Sequence, residues 1–257
     1  MSQITFERKG KIALFTLNRP EKHNALTPDL LRELEAAMFE FMEDPELYVG
    51  IITGAGQKAF CAGADIKEML PFTRATKDCP WKAPTSIMRG QYVTKPLIAA
   101  VNGVAFGGGG ELALACDIRI ASENAAFRWP EPSLGIMPRL GGTQRLPRLV
   151  GYNRAMAILL TNEKVDAQKA LQIGLVEQVV PQEQLMDAAM AMAEKICALA
   201  PLAVRGIKRA VRYGIEMDME DGLDLENQLA MPLFDTEDYA EGRAAFAEKR
   251  APEFKGK

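Results

Sequence analysis

NGVAFGGGGELALACD, residues 102–117, sets four consecutive glycines, Gly107 to Gly110, ahead of an apolar run that begins at Glu111. The stretch before it, Pro96 to Ala105, reads as one buried strand, and Glu111 to Cys116 read as the start of a helix, so the glycines mark a strand-to-helix junction. Each glycine in an ordered element costs roughly 1 kcal/mol relative to alanine. Four in a row imply that the backbone itself must touch something. A phosphate loop would follow its glycines with Lys and then Ser or Thr, and a dinucleotide fingerprint wants an early strand; neither pattern is met. The functional reading that remains is a backbone oxyanion site. Glu111, in the first turn, is either part of it or a favourable partner for the helix dipole.

Two further segments lie on either side. AFCAGADIKEM, residues 59–69, places Ala62, Gly63 and Ala64 before a helix near Ile66. A helix N-terminus offers unpaired N–H groups, and small side chains let a ligand oxygen reach them; the same residues also suit an ordinary glycine turn with Asp65 as helix cap. FRWPEPSLGIMPRLGGTQRLPRLVG, residues 127–151, traps Glu131 between Pro130 and Pro132, which restricts the backbone that carries the carboxylate.

The chain around these segments is that of a globular protein. It has 257 residues, 48% apolar and 25% charged, and a net charge of −3, which gives no global attraction to nucleic acid or to an anionic membrane. The four cysteines match no zinc or redox spacing and fit a reducing cytoplasm. The single histidine, His23, lies in a loop, which removes multi-histidine metal sites and leaves acid-base work to carboxylates or other groups with shifted pKa values. Ile12 to Leu17 read as a strand. Thr27 and Pro28 open a helix whose apolar face is Leu30, Leu31, Leu34, Met38 and Phe41, and Val49 to Ile52 form a short buried strand. Met69 to Thr94 read either as a flap over a site or as a surface excursion. Ile118 to Ala121 are another strand. From Gly141 onward the pattern is helical with almost no strand signal, including an amphipathic helix from Leu185 to Ile196.

These segments, in this order, resemble the crotonase (enoyl-CoA hydratase/isomerase) superfamily. The resemblance runs from NRPEKHNAL near the start, through PLIAAVNGVAFGGGGELALACDIRIAS and LGGTQRLPRLVG, to EGRAAFAEKRAPEFKGK at the end. It implies an α/β fold, a spiral of strand-strand-helix units over residues 1–200, followed by a C-terminal helical trimerisation region over 201–257. It also implies a cytoplasmic enzyme acting on an acyl-CoA thioester, with coenzyme A as part of the substrate, no separate cofactor and no metal, assembled as a homotrimer or a dimer of trimers.

Carried over position by position, the resemblance makes the N–H groups of Ala64 and Gly108 the oxyanion hole, and Glu111 and Glu131 the pair that adds or removes water. Ala62, Asp65 and Ile66 would meet adenine, Lys22 and Lys67 are candidates near phosphates, and Phe246, Lys249 and Phe254 match a tail that packs on a neighbouring subunit near the cofactor. The chain departs from the family's pattern at Arg128 and Trp129, before the second glutamate, and at Arg139, where glycine is common. An Arg139 that faces inward, with Trp129 walling the same pocket, would select a polar, cyclic or aromatic acyl group. The expected reaction is enoyl-CoA hydration or its reverse; the alternatives are double-bond isomerisation, hydrolysis, or acyl-CoA binding without catalysis.

Overall fold

The computed structural model describes residues 2–257. Strands β1 (Ile4–Lys9) and β2 (Ile12–Leu17) pair antiparallel, with Gly10 in the left-handed region at the turn. The helix α1 (Pro28–Glu43) then starts as the sequence predicts. Thr27 Oγ1 accepts the Leu30 N–H at 3.0 Å, Pro28 occupies the first turn, and all five residues of the apolar face are buried. Beyond it the chain climbs in three turns of one pattern. Strand β3 (Val49–Gly54) leads to β4 (Ala59–Cys61) and α2 (Ile66–Thr76); β5 (Leu97–Val101) leads to β6 (Val104–Phe106) and α3 (Gly108–Ala115); β7 (Ile118–Ser122) leads to β8 (Ala126–Arg128) and, past a short 3-10 turn at Glu131–Leu134, to α4 (Gly142–Val150). One strand of each turn joins a six-stranded sheet and the other a smaller one, and each turn pairs parallel with the last, β3 to β5 to β7 and β4 to β6 to β8. This is the spiral of strand-strand-helix units.

Pro96 to Ala105, expected as one strand, is two. The break falls at Asn102-Gly103, where the chain leaves one sheet for the other. Asn102 is buried; its Nδ2 donates to the carbonyls of Gly54 and Gly56 at 2.8 Å, and its Oδ1 accepts the Gly54 N–H at 3.1 Å. A side chain at Gly103 would overlap the carbonyl of Lys58. One carboxamide therefore stitches this turn of the spiral to the previous one, and an apolar run gives no sign of that because burial continues on both sides of the break.

Helices α5 (Tyr152–Thr161) and α6 (Ala167–Gln172) flank a two-residue strand β9 (Val165–Asp166), and β10 (Gln178–Val180) pairs parallel with β7 at the edge of the larger sheet. The last third is almost strandless, as expected, with β10 its one strand among the described residues; with β9 just before it, the chain returns to both sheets in strands too short to show a period. Helix α7 (Leu185–Cys197) covers one face of the large sheet, where Leu185, Ala189 and Ala193 meet Val49, Ile51, Ile98 and Ile120. Leu97, Ala99 and Val101 turn to the opposite face with Phe15, Leu30 and Phe41. Both faces are covered, so the strand residues are apolar throughout, as in parallel sheets generally.

The segment after α2 is anchored. Ile87, Met88 and Val93 are buried in the main core, and Gln91 Nε2 donates to the carbonyl of Glu35 on α1 at 3.1 Å. The inward residues there are few and irregularly spaced, which is why no periodicity marks them. Helices α8 (Pro201–Gly214), α9 (Met219–Ala230) and α10 (Glu237–Glu248) follow. They leave Ile207, Val211, Ile215, Met219, Leu223, Phe234 and Phe246 exposed. No helix is long and apolar enough to cross a membrane among the described residues.

The role of Asn102 is directly testable. Asn102→Ala removes several buried hydrogen bonds and leaves carbonyls unpaired, so it should lower the unfolding free energy by about 3 kcal/mol. A lower urea midpoint at unchanged slope is the expected result.

Candidate active site

The four-glycine run is shaped by what lies against it. Gly107 has φ +49°, and a Cβ there would come within 2.9 Å of Glu131 Oε1. At Gly109 a Cβ would overlap the carbonyl oxygen of Cys61, the last residue of β4. The start of α3 therefore presses directly on the end of β4 and on a carboxylate.

That contact brings two N–H groups together. Leu26 bridges Ala64 in parallel: its N–H donates to Gly63 at 2.7 Å and its carbonyl accepts from Asp65 at 2.8 Å. In such a bridge the central residue's own N–H points to the other side, so Ala64 N–H stands outside the ladder. Gly108 is the first residue of α3, and a first-turn N–H has no acceptor within its helix. A Cβ on Gly63 would lie 3.6 Å from Gly108 N, which places the two segments side by side. Ala64 itself is exposed and Gly108 is buried, so the pair lies at the inner edge of an accessible surface.

Glu111 is 2% exposed, one turn into α3. A single oxygen, Oε1, accepts the N–H of Leu140 at 2.7 Å and of Gly142 at 2.8 Å. Burial pushes its carboxyl above the ordinary range, and the two N–H donors and the charges of Arg145 and Arg139 push the other way. Glu131 opens the 3-10 turn after Pro130 and is half-buried. Burial first, and then the neighbouring charge of Glu111, raise its carboxyl to about 7; a backbone N–H opposes. Its Oε2 is buried and has no hydrogen-bond partner in the protein. The two glutamates differ in kind: one is clamped by backbone donors, the other is desolvated and free on one oxygen.

The remaining residues separate. Asp65 caps α2 by accepting the Lys67 N–H, and pairs with Arg19 at 3.3 Å. Ala62 is half-buried, and Ile66, Lys67 and Lys22 are exposed, so this segment presents an open surface next to Ala64. Trp129 does not wall the pocket. It is 0% exposed in the main core, with its ring against Gly110 and Gly142 on the inner side of α3 and α4. The absence of side chains at those two glycines makes the slot that receives it. Arg139 does not turn inward to a glutamate either. It is exposed, and its Nη2 donates to Thr73 Oγ1 on α2 at 2.9 Å, at the lip of a cleft of about 630 Å³ between residues 88–89 and 137–148. Phe254 and Phe246, the latter 88% exposed, line a separate apolar cavity among α8, α9 and α10, and Lys249 caps α10 on the surface. Sequence reasoning missed Leu140 and Gly142, whose N–H groups hold Glu111, and Arg145 behind them; the double glycine Gly141-Gly142 was the available signal.

The architecture agrees with the comparisons. The family model for enoyl-CoA hydratase/isomerase matches residues 7–257, and the chain belongs to that family. It is 43% identical to the short-chain-enoyl-CoA hydratase of Clostridium acetobutylicum over 97% of this chain and 96% of that protein. It is likewise 43% identical to the (E)-benzylidenesuccinyl-CoA hydratase of Thauera aromatica, over 98% and 99%. The crystal structure of an enoyl-CoA hydratase from Bacillus anthracis superposes with a TM-score of 0.92 at 41% identity, covering 99% of this chain and all of that one.

The raised carboxyl of Glu131 has a consequence for stability. Its value in the fold, about 7, exceeds the ordinary 4.5. The stability it contributes is therefore full below about pH 4.5 and is lost as pH rises through 7. Glu131→Gln has no such loss. At pH 8 it should be more stable than the wild type by roughly 1–2 kcal/mol, after discounting for solvent at a half-buried group. The two should converge toward pH 5, as thermal melts at both pH values will show.

Proposed function

We propose that this chain is an enoyl-CoA hydratase: it adds water across the C2–C3 double bond of an acyl-CoA thioester, or removes it in reverse, through an enolate held by two backbone N–H groups. The observation that carries this reading is the meeting of Glu111 and Glu131 beside the start of α3. An acyl-CoA substrate follows from the family.

The thioester carbonyl would accept from Ala64 N–H and Gly108 N–H. One such donor is worth a factor of roughly 100 to 1,000 in rate. Glu111, favoured as the anion by its two backbone donors, would take a proton from the water. The hydroxide forms its bond at C3, and the π electrons move onto the thioester oxygen. Glu131, protonated up to about pH 7 and free at Oε2, would then give its proton to C2 as the carbonyl re-forms. Proton return from Glu111 to Glu131 through solvent restores the pair. The nucleotide of coenzyme A would lie along Ala62, Asp65 and Ile66, with Lys22 and Lys67 toward its phosphates. The exposed apolar residues of α8 to α10 would be covered by neighbouring copies in a trimer or a dimer of trimers, which would also bring Phe246, Lys249 and Phe254 of one copy toward the ligand of the next. A cytoplasmic setting accords with four unpaired thiols.

Three measurements test this. Wild-type protein should remove the ultraviolet absorbance of the enoyl thioester in crotonyl-CoA, whereas isomerisation would relocate it and simple binding would leave it unchanged. Glu111→Gln and Glu131→Gln should each lower turnover by roughly 100- to 10,000-fold with binding little altered; near-normal hydration by either would exclude the paired mechanism. Light scattering at micromolar concentration should report a trimer or a multiple of it, and a stable monomer would contradict the assembly.

A further inference from the structure

Arg145 lies one turn into α4 and hydrogen-bonds to neither glutamate. Its Nη1 donates to the carbonyl of Leu140 at 2.9 Å and its Nη2 to the carbonyl of Met88 at 2.8 Å. Leu140 is the residue whose N–H holds Glu111 Oε1, and the second donor, Gly142, is two residues on. The guanidinium thus grips the outward side of the same short stretch whose inward side grips the carboxylate. Room for it is made by Gly141, which has φ +116° and where any Cβ would overlap Arg145 Nη1. The other end of the clamp is firm as well: Met88 is buried, in a turn closed by the Ser86–Arg89 backbone pair.

We propose that Arg145 is a positioning residue for the water-activating carboxylate: by tying Leu140 and Met88 together it fixes the backbone donors that orient Glu111. The proposal rests on the hydratase reading for its kinetic expression, but the link from Arg145 to Glu111 does not. A planar fork can satisfy two carbonyls at once, whereas the single ammonium of lysine is a point charge. The charged and titratable groups around Glu111 are few. Arg145 stands on α4, Glu131 on the 3-10 turn, and Arg139 carries its charge on the 138–142 loop with its side chain turned out to Thr73. Behind Arg145 stand Arg212 of α8 and Cys116 at the end of α3; burial pushes that thiol up to about 12, so it stays neutral. Arg145 and Arg139 are the cations that bear on Glu111.

The test uses Arg145→Gln and Arg145→Lys in the full chain, with folding checked by circular dichroism and thermal melts. For Arg145→Gln, kcat on crotonyl-CoA should fall about 10- to 100-fold with KM little changed, the effect expected of a displaced catalytic group. The acid limb of the kcat–pH profile should move to higher pH, because a carboxylate that loses a cationic neighbour ionises later. Arg145→Lys restores the charge, so its acid limb should return to the wild-type position while kcat stays below wild type. A second readout needs no turnover: the ¹³C signal of the Glu111 carboxyl, assigned by its loss in Glu111→Gln, should titrate at higher pH in Arg145→Gln than in the wild type. Were the protein to hydrate no enoyl-CoA, the hydratase reading would fail while this titration still decided the role of Arg145. A folded Arg145→Gln with wild-type kcat and wild-type Glu111 titration would overturn the proposal. So would a lowered kcat with both titrations unmoved, which would make Arg145 a purely structural clamp. If Arg145→Gln does not fold, Arg145→Lys decides: a kcat reduced at unchanged KM and unchanged melting temperature supports the positioning role, and a wild-type kcat, or a kcat lowered only in step with stability, refutes it.

Discussion

The carbonyl oxygen of Cys61 occupies the space where a side chain on residue 109 would stand, and much of the site follows from that one contact. Helix α3 begins against the end of β4, so the first N–H of the helix falls beside the small-residue segment that follows β4. The same close approach removes side chains from positions 107 to 110, which admits the Glu131 carboxylate on one side and the Trp129 indole on the other. A helix that started one residue later, or carried one alanine at 109, would separate the two N–H groups.

Around this junction the protein buries two carboxyls, and burial of either disfavours its charge. The fold treats them differently. Glu111 receives two backbone donors on one oxygen, from a loop that is itself held by an arginine and two glycines. Glu131 receives little, and a buried oxygen is left without a protein partner. A pair of like groups thereby acquires unlike proton affinities, which is what acid-base division of labour between two glutamates requires. Glu131 Oε2 is one of several buried side-chain atoms without a protein partner among the described residues, and it is the carboxylate oxygen among them, at the place where chemistry is proposed.

Several elements were readable from local pattern. Thr27-Pro28 and the spacing of Leu30, Leu34, Met38 and Phe41 announced α1, and the glycine run announced a backbone-lined site. The break at Asn102 was not readable, because a buried turn between two buried strands keeps the same apolar composition. Strands of two or three residues, such as β9 and β10, are too short for a period. Trp129 and Arg139 were misplaced for a related reason. Both neighbour Glu131 or the 138–142 loop in sequence, but neighbours in a turn point to opposite sides, and no composition rule says which.

By itself the sequence determined the kinds of chemistry open to this protein: carboxylates in place of histidines, backbone donors at two small-residue helix starts, and motifs whose order matches one family. Those follow from local properties, namely which side chains exist and which residues can lie close to a backbone. Tertiary structure alone decided that Glu111 is held by Leu140 and Gly142, that Glu131 keeps one oxygen unpartnered, that Trp129 belongs to the core and that Arg139 stands at the rim. Those depend on which segments, thirty or sixty residues apart in the chain, are brought to the same few ångströms, and on the desolvation that each group then meets.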